Sequence, residues 1–248
     1  MGIKWIAEAG SNHNQDIFRG VGLISHAASI GCWGVKFQYY KADMLWSDQE
    51  KADAARPGEI ELEWLKTFKN HARERGIKLG CSVYHPSHVE EVAQHVDFLK
   101  ISSFEANNDE LVKKCLDTKK LLFVSHGIEV ADCIWSAEIK HLHCVSRYPV
   151  KPDECDMPAM LDMDGWSDHS HNWGVILAAV SNSAEYIEFH LDLEDEAGYE
   201  TKHGHCWTAN EIGSVMKIAR DMQSANTINN HNRTDLVDLM WKPELDAR

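Results

Sequence analysis

The stretch Tyr186–His190, YIEFH, decides how the rest of the chain is read. It is a short apolar run, too short for a helix, that closes on the polar residues Glu188 and His190. The same form recurs along the chain as KWIAE (4–8), GVKFQ (34–38), KLGCS (78–82), FLKIS (98–102), LLFVS (121–125), HLHCV (141–145) and GWS (165–167). With YIEFH these predict eight strands separated by amphipathic segments, the pattern of repeated βα units. The expected fold is α/β: a single-domain (β/α)8 TIM barrel.

The intervening segments support that alternation. IFRGVGLISHAASIG and EIELEWLKTFKNHARERG have apolar residues at helical spacing and end in glycine; the second also opens acidic and closes basic. HPSHVEEVAQHV, NDELVKKCLDT and VADCIWSAEI are shorter candidates, with Pro86 and Asn108 near the starts of the first two. WGVILAAVSN and TANEIGSVMKIARDMQSA complete the series. Residues 151–164, rich in Asp, Met and Pro, read as loop plus a poor helix. The expected division is a barrel over 1–225 and a C-terminal tail over 226–248 that packs on the barrel or is partly mobile.

A formal charge of −14 argues against nucleic acid or an anionic membrane as partner, since both need a basic face. It leaves room for a small anion held by a few lysines in a pocket. The seven cysteines have no CxxC spacing and lie mostly among apolar residues, which predicts reduced thiols. No apolar run approaches the roughly 20 residues of a membrane span, and MGIKWIAEAG lacks signal-peptide architecture. A cytoplasmic protein is expected.

The polar residues fall at the strand ends, where the loops of a parallel barrel converge and its chemistry lies. They are Glu8, Lys36, Gln38, Ser82, Lys100, Ser102, Ser103, Ser125, His143, Ser146, Ser167, Asp168, His169, Glu188 and His190. Lys36 and Lys100 sit among large apolar residues, and a lysine in such a strand is costly to bury without an anion or a carboxylate. They read either as a structural ion pair with Glu8 or Glu105 or as the base of an anion site, to which Ser103, Ser125 and Ser167 would add donors. His169 and His190 fall on adjacent strands and can offer two imidazoles to a metal with open positions; singly, each would be an ordinary rim residue. His171, His203 and His205 are weaker loop candidates, and Asp168 reads as a residue that sets the loop or orients a neighbouring ligand. Glu8 and Glu105 serve proton transfer, hold substrate hydroxyls, or compensate the lysine charges. GVG at 20–22 lies in a helix and is no phosphate loop, and Cys144 points away from His143 and reads as core.

Taken together, IAEAGSNHNQD, GVKFQYYKADML, FLKISSFEANN, FVSHGI, LHCVSRYP, WSDHS and IEFHLDL resemble the sialic acid synthase (N-acetylneuraminate synthase) family in order and spacing. The resemblance implies a barrel enzyme that condenses phosphoenolpyruvate with an amino sugar. It implies that Lys36, Lys100, Ser103, Ser125 and Ser167 hold phosphoenolpyruvate, with Ser82 and Ser146 as further substrate contacts. Gln38, Glu105 and Tyr148 would face the sugar, and His169 and His190 would bind a divalent metal, Mn²⁺ first, with Mg²⁺ or Co²⁺ as alternatives. Glu8 would move a proton or hold a metal-bound water. A homodimer is the family's assembly. The departures lie on the sugar side. Val83 and His126 stand where the family has threonine, the 41–58 loop reads as short, and Glu200 is the nearest match to a family aspartate. The antifreeze-like domain usual after the barrel is expected to be missing.

The leading expectation is therefore a phosphoenolpyruvate-dependent synthase acting on N-acetylmannosamine or a relative. The alternatives are a metal-dependent aldolase or sugar isomerase on the same barrel, and a non-catalytic sugar-binding subunit completed by a partner chain.

Overall fold

The structure is a computed structural model that describes residues 2–127 and 134–226. Eight parallel strands close into a barrel in sequence order: β1 (Lys4–Gly10), β2 (Gly34–Tyr39), β3 (Lys78–Val83), β4 (Phe98–Ile101), β5 (Leu121–His126), β6 (Ile139–His143), β7 (Gly165–Asp168) and β8 (Tyr186–His190). Each strand read from the sequence is present. β6 starts two residues earlier than expected, although Cys144 N still donates to His126 O at 3.0 Å, so the ladder reaches one residue past its nominal end.

Local chemistry explains the helices. Asp16 accepts from Phe18 N at 2.8 Å to open α1 (Ile17–Ser29). After the short helices α2 (Ala42–Leu45) and α3 (Gln49–Ala55) comes α4 (Leu62–Glu74), which buries Leu65, Phe68 and Ala72 against the sheet. α5 (Val89–Ala93) is brief. Asn108 caps α6 (Asp109–Asp117), and Asn172 caps α7 (Trp173–Ser181), whose buried residues are Val175, Ile176, Ala179 and Val180. α8 (Ala209–Asn226) closes the described chain.

Three expectations need correction or placing. The helix read over 130–139 is not one where it can be followed: residues 134–138 have no helical turn and run into β6, while 130–133 lie outside the described residues. Residues 41–58, read as a short loop, fold as α2, α3 and a 3-10 turn, because Asp48 caps Lys51 N and Tyr40 Oη donates to Ala55 O at 2.9 Å. The tail from 227 onward lies outside the described residues. The expected weak unit at 151–164 is two 3-10 turns, Pro152–Glu154 and Pro158–Asp162.

The barrel interior has two layers. Ile6, Phe98, Phe123, Leu142 and Tyr186 form a buried cluster of their own, capped by Trp33 and Leu121. The rings meet edge to face, Phe98 with Phe123 at 5.4 Å and Phe123 with Tyr186 at 4.9 Å between centroids. Since strand side chains alternate with period two, the residue two places on from each of Ile6, Phe98, Phe123 and Tyr186 shares its face one layer higher. Those residues are Glu8, Lys100, Ser125 and Glu188. The aromatic floor thus carries a polar ceiling.

Gly80 makes room for that floor: a Cβ there would collide with the Phe98 ring. Gly80→Ala is therefore expected to lower stability by about 1–3 kcal/mol through overpacking, measured as a shift in the denaturant midpoint without a change in its slope.

Candidate active site

The polar layer lines a narrow cavity of about 40 Å³ at the carboxyl ends of the strands. Lys36 and Lys100 are 2% and 3% exposed, and Glu8 and Glu188 are 1% and 3% exposed, so four ionisable groups sit out of water. Each lysine has a carboxylate: Lys36 contacts Glu8, and Lys100 Nζ donates to Glu188 Oε1 at 3.3 Å. The register puts Glu8 opposite Lys36 on the neighbouring strand. Lys36 Nζ also donates to Ser82 Oγ at 2.7 Å, and Ser167 Oγ donates to Glu188 Oε1 at 3.0 Å. Two groups in this layer are buried without a partner, the Ser125 hydroxyl and Glu188 Oε2.

Burial and the nearby Lys100 charge pull Lys36 down to about 8. Burial works to raise Glu188, but Lys100 and Lys36 outweigh it and hold the carboxyl below its usual range. The ion-pair reading of the lysines is thus present in the structure, with Glu188 rather than Glu105 as the second partner.

Three histidines crowd the rim. The rings of His169 and His190 stand 5.4 Å apart and those of His190 and His205 4.4 Å apart, with Tyr148 packed on all of them. His169 Nδ1 lies 2.6 Å from Val145 O and His190 Nδ1 lies 2.7 Å from Glu200 Oε2. A carbonyl and a carboxylate only accept, so each Nδ1 carries a proton, and in a neutral ring so held Nε2 is the atom with the lone pair. Burial and the neighbouring His190 pull His169 down to about 3, so the imidazole is neutral at physiological pH.

The loop after β8 is tied to the loop after β1. Asn12 Nδ2 donates to Leu191 O at 2.9 Å, and Glu200 N donates to Asn12 Oδ1 at 2.7 Å. Ser11 N donates to Glu200 Oε1 at 2.7 Å. Gly10 adopts a left-handed conformation, φ 47°, and a Cβ there would overlap the Glu200 carboxylate. Arg19 fastens the same loop through Asp192 at 2.6 Å and Asp195 at 2.7 Å.

A second, wider cavity opens outside the first and shares Gln38, Tyr84, Ser102, Tyr148 and His190 with it. Leu45 and Trp46 at the end of α2, Ala54 of α3, and Tyr199 wall it.

Of the residues read from the sequence, Glu8, Lys36, Gln38, Ser82, Lys100, Ser103, Ser125, Tyr148, Ser167, His169 and His190 all line the inner cavity. Ser146 reaches it through Ser103, their hydroxyls 2.5 Å apart. Glu105 accepts from Ser102 at the rim and is not among the residues lining either cavity. His143 turns outward against Trp166. Asp168 is buried and accepts from Trp166, Ser170, His171 and Trp207, which is the loop-setting role expected of it. Cys144, read as core, is buried but also lines the inner cavity. Glu188, Glu200 and His205 had no assigned role or only a minor one. Glu188 was visible at the end of a strand two places before His190, whereas Glu200 and His205 lie in an aperiodic loop.

The sequence profile described as NeuB family matches residues 23–230. The chain belongs to the NeuB family. Among curated proteins it is 28% identical over 224 residues to the N,N'-diacetyllegionaminic acid synthase of Campylobacter jejuni, covering 76% of this chain and 67% of that one. It is 24% identical over 255 residues to the N-acetylneuraminate-9-phosphate synthase of Mus musculus, covering 89% and 70%. The NeuB-family barrel also superposes on an N-acetylneuraminic acid (sialic acid) synthetase of Leptospira borgpetersenii serovar Hardjo-bovis with a TM-score of 0.83, at 21% identity, covering 100% of this chain and 94% of that one. The chain spans about three fifths of the length of some curated relatives that it matches, 59% in one case.

Removing Lys100 would leave the Glu188 carboxylate buried and uncompensated. Lys100→Ala is expected to cost about 3–5 kcal/mol, and Lys100→Met combined with Glu188→Gln to recover most of it. Denaturant unfolding of the three proteins checks this; equal stability of the single and double variants would contradict a desolvated pair.

Proposed function

We propose that this chain is a synthase that condenses phosphoenolpyruvate with N-acetylmannosamine or a related amino sugar, giving a nonulosonic (sialic) acid and inorganic phosphate. The observation that carries the reading is the convergence of Lys36, Lys100, Ser82, Ser125 and Ser167 on one inner cavity. Ammonium and hydroxyl donors at that density suit a small ligand bearing a carboxylate and a phosphate. The unpartnered Ser125 hydroxyl is a donor still to be used. The relatives named as synthases of N,N'-diacetyllegionaminic acid and N-acetylneuraminate 9-phosphate support the same reaction class.

In this reading the inner cavity takes phosphoenolpyruvate and the outer one the acceptor, with Gln38 and Tyr148 spanning the two. With Nδ1 of each ring bonded to an acceptor, the Nε2 atoms of His169 and His190 fit a divalent cation, Mn²⁺ first, with Mg²⁺ or Co²⁺ as alternatives. Such a cation, when bound, supplies Lewis acidity to the acceptor aldehyde. Lys36 and Lys100 hold the anionic groups so that C3 of the enol faces the aldehyde carbon. As the carbon–carbon bond forms, the aldehyde oxygen takes up a proton; water adds at C2 and gives up one proton, and phosphate then departs with the bridging oxygen while the C2 hydroxyl gives up its proton to it and becomes the ketone. Glu8 and Glu188 are the buried carboxylates beside that cavity, and Glu188 Oε2 is free to accept the proton of the water.

Metal-stripped protein resupplied with Mn²⁺ is expected to release phosphate from phosphoenolpyruvate only when an acceptor sugar is present. Absence of release across a panel of amino sugars, together with absence of phosphoenolpyruvate binding, would sink the reading. The pH dependence has a definite sign. Lys36 titrates near 8 in the fold and near 10.5 in the unfolded chain, so its proton destabilises the unliganded fold at neutral pH. That cost is relieved as pH rises from about 8 towards about 10.5. An anion needs the same proton. The thermal shift caused by phosphoenolpyruvate should therefore shrink as pH rises through about 8.

A further inference from the structure

Outside the inner cavity the site widens into the outer one, about 790 Å³, and the lip of that cavity is cationic. Lys51 of α3 lines it together with Lys202 and His203 of the β8 loop. The one carboxylate that lines it, Glu200, is already taken by Ser11 N and His190. A single bond brings the two lysines, distant in sequence, to the same lip: Tyr199 Oη donates to Ala54 O at 2.6 Å, which pins the β8 loop to α3. Lys202 Nζ stands 3.7 Å from the centroid of the Tyr199 ring, and Lys51 Nζ 5.3 Å from that of Trp46. Neither ammonium forms an ion pair with a carboxylate among the described residues, whereas those of Lys36, Lys41, Lys69, Lys100 and Lys140 all do. A ring face holds a lysine in place without cancelling its charge. Two such groups beside one cavity are a local exception in a chain of formal charge −14.

In the synthase reading, on which this inference rests, the aldehyde end of the acceptor faces the inner cavity across Gln38, Ser102, Tyr148 and His190, which both cavities share. Lys51, Lys202 and His203 line only the outer cavity, so they meet the opposite end of the sugar. We propose that the acceptor is anionic: an amino sugar with a phosphate ester on the carbon farthest from its aldehyde, held by Lys51 and Lys202. A phosphate dianion suits two separate ammonium groups, and the His203 ring adds an N–H donor in either tautomer. Between the two ends, Tyr40, Trp46, Tyr84 and Phe104 offer apolar faces to the body of the sugar. The overall charge makes the lip necessary, because this chain repels an anion except where cations lie within roughly 8–10 Å of it.

The test compares N-acetylmannosamine with N-acetylmannosamine 6-phosphate on the Mn²⁺-loaded protein, by calorimetric binding and by phosphate release from phosphoenolpyruvate. The 6-phosphate is expected to bind roughly tenfold more tightly or better, and to be used with the higher kcat/KM. That advantage should shrink as salt is raised from about 0.05 to about 0.5 M. Lys51→Ala combined with Lys202→Ala should remove it, with the loss falling on KM rather than kcat, and Lys51→Arg combined with Lys202→Arg should keep it. Equal binding of the two sugars overturns the proposal, and so does an advantage that survives the double alanine variant. Release with the unphosphorylated sugar but not with the 6-phosphate overturns it too, and leaves the synthase reading standing. Tight, lysine-dependent binding of the 6-phosphate without release would instead count against the synthase reading and leave the cationic lip standing.

Discussion

Two ion pairs held out of water, Lys36 with Glu8 and Lys100 with Glu188, rest on a floor of packed aromatic rings inside the barrel, and the rest of the site is arranged around them. Such pairs are costly to build. The desolvation of four charged groups is repaid only when geometry and additional hydrogen bonds are good, and apolar residues of similar size would serve stability at least as well. Here the extra bonds come from Ser82 and Ser167, donated to or accepted across neighbouring strands. The β-barrel makes this affordable because period-two alternation separates the layers: Phe98 and Lys100 share a face, as do Tyr186 and Glu188, with the apolar member always below. A stable fold would need only the lower layer. The upper one is better explained by a ligand that uses its charges.

The rim depends on a different kind of support. Between β8 and α8 the chain has little regular structure, and its shape comes from side chains reaching across from the β1 loop. Asn12 bonds Leu191 and Glu200, Arg19 bonds Asp192 and Asp195, and Ser11 N bonds Glu200. Gly10 leaves the space that the Glu200 carboxylate fills. Glu200 in turn sets the His190 tautomer, since its carboxylate accepts the Nδ1 proton. The orientation of an imidazole on β8 is thus decided by backbone geometry at the end of β1, on the adjacent strand.

The barrel was legible in the sequence because its evidence is local. Each strand is a short apolar run bounded by polar or turn residues, and each polar terminus announces which end faces the site. Residue-level function was legible where it sat on those termini, which is why Lys36, Lys100, Ser125 and His190 come together as read. Pairings were not, because they depend on strand register. Glu105 is five places from Lys100 in sequence, yet Ser102 takes it up at the rim, and Glu188 reaches Lys100 from β8. The β8 loop carried no periodic signal, so Glu200 and His205 could be seen as residues but not as neighbours of His190. Of the segment read as a helix before β6, the described residues 134–138 are not helical, and Ile139 pairs with Leu122 of β5 instead.

The charge count of the inner layer bears on how the proposed substrate would bind. Lys36 and Lys100 are already balanced by Glu8 and Glu188, so the layer offers little net positive charge to a ligand that carries roughly −3 at neutral pH, a phosphate near −2 and a carboxylate. Binding must then exchange partners: the lysines leave their glutamates for the ligand, and the glutamates are left needing either a proton or a cation. A divalent ion at the proposed metal site would supply part of that charge, so anion and cation would each favour the other's binding by the same factor. The exchange has a chemical consequence as well. A buried carboxylate that loses its lysine becomes more basic, because burial then acts on it unopposed. Glu8 and Glu188 would turn into proton acceptors only once the anion is in place, at the moment when an attacking water has a proton to give up.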